Sequence, residues 1–342
     1  MGRISWERSV LMDLEGIYCV ELFHTKDGLK IVGASETHDG VCKVVDFATR
    51  KEEVVWTGPG GCMNVSQLDE DGGIVGIQNF YKGFQSEKAQ LVRAKKQDGQ
   101  WQTEVLKVLP YLHRSGVVHT ADGAWVVAST LCTHRDSATD WSHPGKIQVA
   151  NLPENGEDIS FRVIQEGVTK NHGFWQGRLD GEDVTLIGGS EGLFRVRPPR
   201  DGGDWTVDRL LDREISDCAV ADLDGDGEDE LVTFEGFHGD TAAVNKRVDG
   251  RWQIVYTVPM HFSHAIWAGE LLGRNMFVVG YRKEDGRMYL GCHTDHGYET
   301  VLMEEGVAPS NARGFVYDGR SYVIAAARDM DQVILYELKE TD

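Results

Sequence analysis

The chain contains no apolar run long enough to cross a membrane, and almost nothing in it reads as a long helix. Residues Met1 to Arg8 carry charges with no apolar stretch behind them, so no signal peptide is expected. No two cysteines lie close together. Cys19, Cys42, Cys62, Cys132, Cys218 and Cys292 are scattered, which excludes zinc-finger and redox spacings; most sit in apolar strand contexts, which predicts buried thiols. A reducing cytoplasm is the expected location, and the sequon Asn64-Val65-Ser66 then reads as a chance match. Basic residues are also short, at 35 Lys and Arg against 55 Asp and Glu, giving a net charge of -20. No basic stripe is visible, so neither nucleic acid nor membrane is an expected partner. The same charge weighs against a long polyanionic substrate unless a local basic cluster offsets it.

What the chain does have is 40 glycines, nine tryptophans and a repeat. A polar residue precedes an apolar strand, a turn follows about eight residues later, and a second apolar strand follows that. The unit recurs at Met63-Asn64, His113-Arg114, Asn171-His172, Ser216-Asp217, Ser263-His264 and Ser310-Asn311. A period of this size in a β-rich chain predicts propeller blades. Seven blades of roughly 45 residues use all 342 residues, so one domain over 1–342 is expected. Blade one runs from Glu15 to Gly58, two from Pro59 to Pro110, and three from Tyr111 to Gly167. Blade four covers Val168 to Glu214, five Ile215 to Pro259, and six Met260 to Gly306. The seventh has three C-terminal strands, Ala312–Tyr317, Ser321–Ala327 and Gln332–Leu338. Its outer strand is expected from the N-terminal Ile4–Met12, which would close the ring and leave no open edge.

In such a fold the segment leading into strand one shares a face with the loop joining strands two and three. His113, Arg114, His172, Asp217 and His264 fall in the first set. His38, Tyr81, His134, Arg135, His143, Glu191, Glu235, His238, Arg282, Lys283 and Arg328 fall in the second. Matching places in blades three, four, five and six predict a divalent-metal set of His113, His172, His264 and Asp217, with zinc, manganese or another ion left open. The bland alternative is that these histidines satisfy backbone groups. His38, His134, His143 and His238 are candidate acid/base groups, with Tyr81 and Arg114 beside them. Arg114, Lys170, Arg282, Lys283 and Arg328 would give this face a local positive field, and Trp141 and Trp175 are placed near it as surfaces for a sugar ring. The long interruption Leu131 to Gly145, with a shorter counterpart at Asn79 to Glu87, is expected to be functional.

Asp222-Leu223-Asp224-Gly225-Asp226-Gly227-Glu228-Asp229-Glu230 places side-chain oxygens at alternate positions. Asp222, Asp224, Asp226 and Glu230 could wrap a calcium ion, or form only a tight acidic turn, on the face opposite the histidines. The turn resembles FG-GAP/VCBS propeller repeats. Gly188-Gly189-Ser190-Glu191-Gly192 matches a nucleophile elbow, but Leu193 to Val196 reads as another strand, so a hairpin turn is expected.

Tyr111 to Arg114, Asp140 to Lys146, Asn171 to Gly173 and Phe262 to Trp267 resemble the propeller domain of aldos-2-ulose dehydratase, the 1,5-anhydrofructose dehydratase group. That group carries cupin-like domains after its propeller; this sequence ends after the propeller, so no function of those domains is expected here. The resemblance implies metal-assisted elimination of water, or of another β-leaving group, from a keto sugar, with His113, His172 and His264 on the metal side. Propeller polysaccharide lyases use a similar histidine arrangement. The expected function is therefore a metal-dependent carbohydrate lyase or dehydratase acting on a small, mainly neutral keto sugar or glycoside. The alternatives are a non-catalytic propeller that binds glycan or protein with a structural calcium, and a hydrolase using the same metal to activate water.

Overall fold

A computed structural model describes residues 3–81, 85–154, 159–200 and 202–341. The counterpart loop Asn79 to Glu87 therefore includes three residues, 82–84, outside the described set. The described chain forms seven four-stranded antiparallel sheets, and within six of them strand order follows chain order. The seventh sheet mixes the two ends of the chain: Arg3–Asp13 pairs antiparallel with Gln332–Thr341, in register Trp6 to Leu338. The N-terminal strand thus completes the last blade, as expected from the three C-terminal strands that lacked a fourth, and the architecture is a seven-bladed β-propeller closed by that strand.

Burial follows the radial position of each strand. The second strands are buried nearly throughout, as in Ile74–Gln78 and Arg320–Ala327, because neighbouring blades cover both of their faces. Outer strands such as Gln100–Val108 are mostly exposed. All six cysteines are free and buried, four of them in strands and Cys62 and Cys132 in the connections between strands. Among the described residues no helix is long and apolar enough to cross a membrane.

The first strands surround the axis: Ile17–Thr25, Val65–Gln67, Leu112–Thr120, Phe174–Leu179, Ile215–Ala221, Ser263–Leu271 and Pro309–Tyr317. Five of them carry a bulge at their second residue, where pairing with the next strand skips one position. The skipped residues are Tyr18, His113, Ser216, His264 and Ser310. A bulge bends the strand and re-aims the extra side chain. Here it turns one residue per blade toward the mouth of the channel and the next residue the other way.

Candidate metal centre

Tyr18, Met63, His113, His172 and His264 line one end of the axial channel, a cup of about 420 Å³. Each comes from a different blade. His238 completes the cup from the loop between the second and third strands of blade five, Glu230–Glu235 and Thr241–Val248. Its backbone adopts φ 48°, and its N–H donates to Ser216 Oγ at 3.4 Å. His238 therefore stands over the small serine at the bulge of its own blade.

Phe237 and Phe262 flank the His238 ring, with centroids 4.1 Å away on each side. The imidazole is held by apolar contact, which leaves its nitrogens for other work. Nε2 of His238 lies 3.2 Å from Nε2 of His172. Ligating atoms of His172, His238 and His264 all lie within 4.8 Å of one another. The His113 ring stacks at a tilt on His172, with centroids 4.8 Å apart, and meets Phe80 edge-on. Nδ1 of His113, His172 and His264 is buried without a hydrogen-bond partner.

Burial holds His113, His172 and His264 well below the usual imidazole range, helped by the nearby positive charge of Arg114 and by the neighbouring histidines. Burial lowers His238 to about 3, with Arg282 adding to the effect. All four are neutral imidazoles at neutral pH, each keeping one nitrogen lone pair.

The rest of the cup is polar and charged at its rim. Arg282 Nη1 approaches His264 Nε2 at 3.4 Å, and its own Nε is buried without a partner. Lys283 Nζ lies 4.5 Å above the Phe262 ring. Arg328 is paired with Glu36. Tyr81 lines the cup, donates its hydroxyl to Asn79 Oδ1 at 2.9 Å, and stacks on the exposed His38 at 3.9 Å.

Several expected site residues lie elsewhere. Asp217 is not in the histidine group. The residue that matches His113 and His264 in blade five is Ser216, one position earlier. In a strand a slip of one residue reverses the direction of the side chain. Asp217 accordingly points away from the cup, and its Oδ1 accepts N–H bonds from Phe174 at 3.3 Å and Cys218 at 2.9 Å. Arg114 points the same way. Its Nε donates to the His172 carbonyl at 2.8 Å and Nη1 to the Met63 carbonyl at 2.5 Å, so it ties blades two, three and four together beneath the histidines. Trp175 also lines the far side of the channel rather than the cup.

The long loop of blade three behaves as a brace. His134 and His143 are exposed, contact each other at 5.3 Å, and do not line the cup. His134 Nε2 pairs with Asp136 at 3.1 Å. Arg135 stacks on Trp141 at 3.9 Å, and Trp141 meets Phe237 edge-on at 5.4 Å. The loop thereby supports the hairpin that presents His238. Cup residues absent from the sequence expectation are Tyr18, Glu36, Met63, Phe80, Phe262 and Asp329. Tyr18 was within reach of the repeat, since Tyr18-Cys19 occupies the place of His113-Arg114 in blade one.

The acidic turn lies in the connection between the first two strands of blade five. Lys246 sits within it. Its Nζ contacts Asp224, reaches Asp226 at 2.6 Å and reaches Glu230 at 3.2 Å. Asp222 accepts N–H bonds from Gly225 at 2.8 Å and Gly227 at 3.0 Å. Asp222, Asp224 and Glu230 retain metal-like spacing, but an ammonium already stands among them. Ser190-Glu191 is the two-residue turn between Glu182–Gly189 and Gly192–Arg197, so the elbow-like motif is a hairpin.

No protein-family model matches the sequence, and no curated protein matches it either. The fold and the cup together define a seven-bladed propeller with a histidine-lined axial well.

Proposed function

We propose that His172, His238 and His264 hold a divalent transition metal at the base of the cup, and that the protein is a metal-dependent carbohydrate lyase or dehydratase. One observation carries the reading: three neutral imidazoles on three different blade segments bring their nitrogens within 4.8 Å of each other. Two ligands on a tetrahedral ion with bonds of about 2.0–2.1 Å sit roughly 3.3 Å apart. The 3.2 Å between His172 and His238 fits that spacing. Neutral nitrogen donors suit zinc, manganese or a similar ion and leave its positive charge uncompensated for a substrate oxygen.

The ion supplies stabilisation of the negative charge that develops on a carbonyl when an adjacent carbon loses its proton. The chain supplies the rest. Arg282 is aimed at the same place, and once His264 is engaged its Nη1 is released to a substrate oxygen. Tyr81 and His38 stand together at the rim as the proton-handling pair. The apolar faces of Phe80 and Phe262 restrict water beside the imidazoles. The resemblance of Tyr111 to Arg114, Asp140 to Lys146, Asn171 to Gly173 and Phe262 to Trp267 to the aldos-2-ulose dehydratase propeller supports a keto sugar or glycoside as substrate and β-elimination as the reaction.

Elemental analysis of the purified protein, before and after incubation with zinc or manganese, tests the metal. About one ion per chain is expected, and His172→Ala, His238→Ala and His264→Ala each abolish stoichiometric loading. Full loading in His172→Ala overturns the ligand set. With the loaded protein and keto-sugar substrates, elimination leaves an unsaturated product absorbing in the ultraviolet, whereas hydrolysis does not.

A further inference from the structure

The far end of the axial channel is a second chamber of about 440 Å³, to which all seven blades contribute. Its inner end includes Arg114 and Asp217, two of the residues that the bulges turn away from the histidines. Arg114 is bonded to the carbonyls of His172 and Met63, whose side chains line the cup, so its guanidinium stands between the two wells.

The walls of this chamber are built rather than incidental. Asp217 is only 9% exposed and Arg114 only 7%. Asp217 ties Oδ1 to two backbone N–H groups, and its Oδ2 has no partner among the described residues. Arg114 commits Nε and Nη1 and keeps Nη2. Asn311 accepts the Val20 N–H at 3.3 Å through Oδ1, leaving its amide NH₂. Glu21 and Arg313 neutralise each other through a two-pronged pair, with contacts of 2.8 and 2.7 Å. Two half-buried indoles, Trp175 and Trp267, complete the wall. Glycines make room for both: a Cβ on Gly177 would meet the Trp175 ring at 2.6 Å, and one on Gly314 would meet Trp267 at 2.5 Å.

The chemistry selects a ligand class. Two acidic and two basic side chains balance, so the chamber offers no net field to an ion. Its uncommitted groups alternate between acceptor and donors, and a hydroxyl is the group that answers both. Indole faces suit the C–H surface of a ring. We propose that this chamber is a second binding site, for a neutral sugar of one or two rings, with Asp217 Oδ2 accepting a ligand hydroxyl.

Titration calorimetry and tryptophan fluorescence with D-glucose, maltose and myo-inositol as neutral probes, and D-glucuronate and protonated D-glucosamine as charged ones, test this site. Saturable binding of a neutral probe is expected. Asp217→Ala weakens it about tenfold or more, since a hydrogen bond to a charged acceptor is lost. Asn311→Ala, which removes the uncommitted amide on the same wall, also weakens it and carries the test if the first variant does not fold. His238→Ala leaves this binding unchanged, which separates the chamber from the metal cup. Absence of saturation by every neutral probe, tighter binding of the charged probes, loss of binding in His238→Ala, or insensitivity to Asn311→Ala would each overturn the proposal, the first identifying the chamber as solvent-filled.

Discussion

At the scale of single residues, direction matters more than identity. Asp217 and Ser216 are neighbours, yet one faces a sugar-sized chamber and the other sits under His238. Burial raises the Asp217 carboxyl to about 6 from its ordinary 3.8. A folded-state value above the unfolded one means the folded protein retains the proton longer. This contribution therefore favours folding below about pH 4 and is lost as pH rises through about 6. The full shift is worth on the order of 3 kcal/mol. Asp217→Asn, which still offers an oxygen to Phe174 and Cys218, should be relatively more stable at pH 7 than at pH 4 when denaturant midpoints are compared with wild type. A second residue-scale test concerns Gly314, where an added Cβ has only the rigid Trp267 ring to push against. Gly314→Ala should cost about 1–3 kcal/mol in chemical denaturation, the usual penalty of overpacking.

Single elements show how the same scaffold treats charge in two ways. The acidic turn of blade five has the oxygen spacing of a cation site, and the chain provides Lys246 from the adjoining strand as that cation. Lys246→Met should leave Asp224, Asp226 and Glu230 facing one another. The variant is expected to melt earlier than wild type and to recover on addition of calcium, while wild type shows no calcium-dependent shift. Differential scanning calorimetry with and without the ion checks both. The long loop of blade three is the opposite case. His134, Asp136 and His143 face solvent, the buried Arg135 backs Trp141, and it is the apolar edge of Trp141 against Phe237 that reaches the site. Trp141→Ala should loosen the His238 hairpin and lower metal affinity without removing a ligand, which competition with a chelator measures.

For the whole molecule, closure depends on one pairing between chain ends. Deleting residues 3–13 would uncover the edge strand Gln332–Thr341 and break the ring, and an unpaired edge is a template for association. The expected outcome is a lower melting temperature accompanied by aggregation, followed by light scattering. Most of this architecture was legible in the sequence, because seven repeats of alternating apolar strands and Gly-containing turns constrain one another. The site was legible only in part. The repeat identified His113, His172 and His264, but His238 comes from a different loop and reaches the same axis because that loop folds over the small Ser216. Asp217 was misplaced because aligned pairs such as His113-Arg114 and Ser216-Asp217 do not reveal which member the bulge turns inward. Chemistry alone favoured the carboxylate, whereas backbone pairing decided for the serine.

The guanidinium of Arg114 gives the channel a consequence for traffic. With its two carbonyl tethers in place it stands on the axis between the histidine well and the far chamber. A molecule passing from one to the other would have to displace it, so each well is expected to fill and empty through its own mouth.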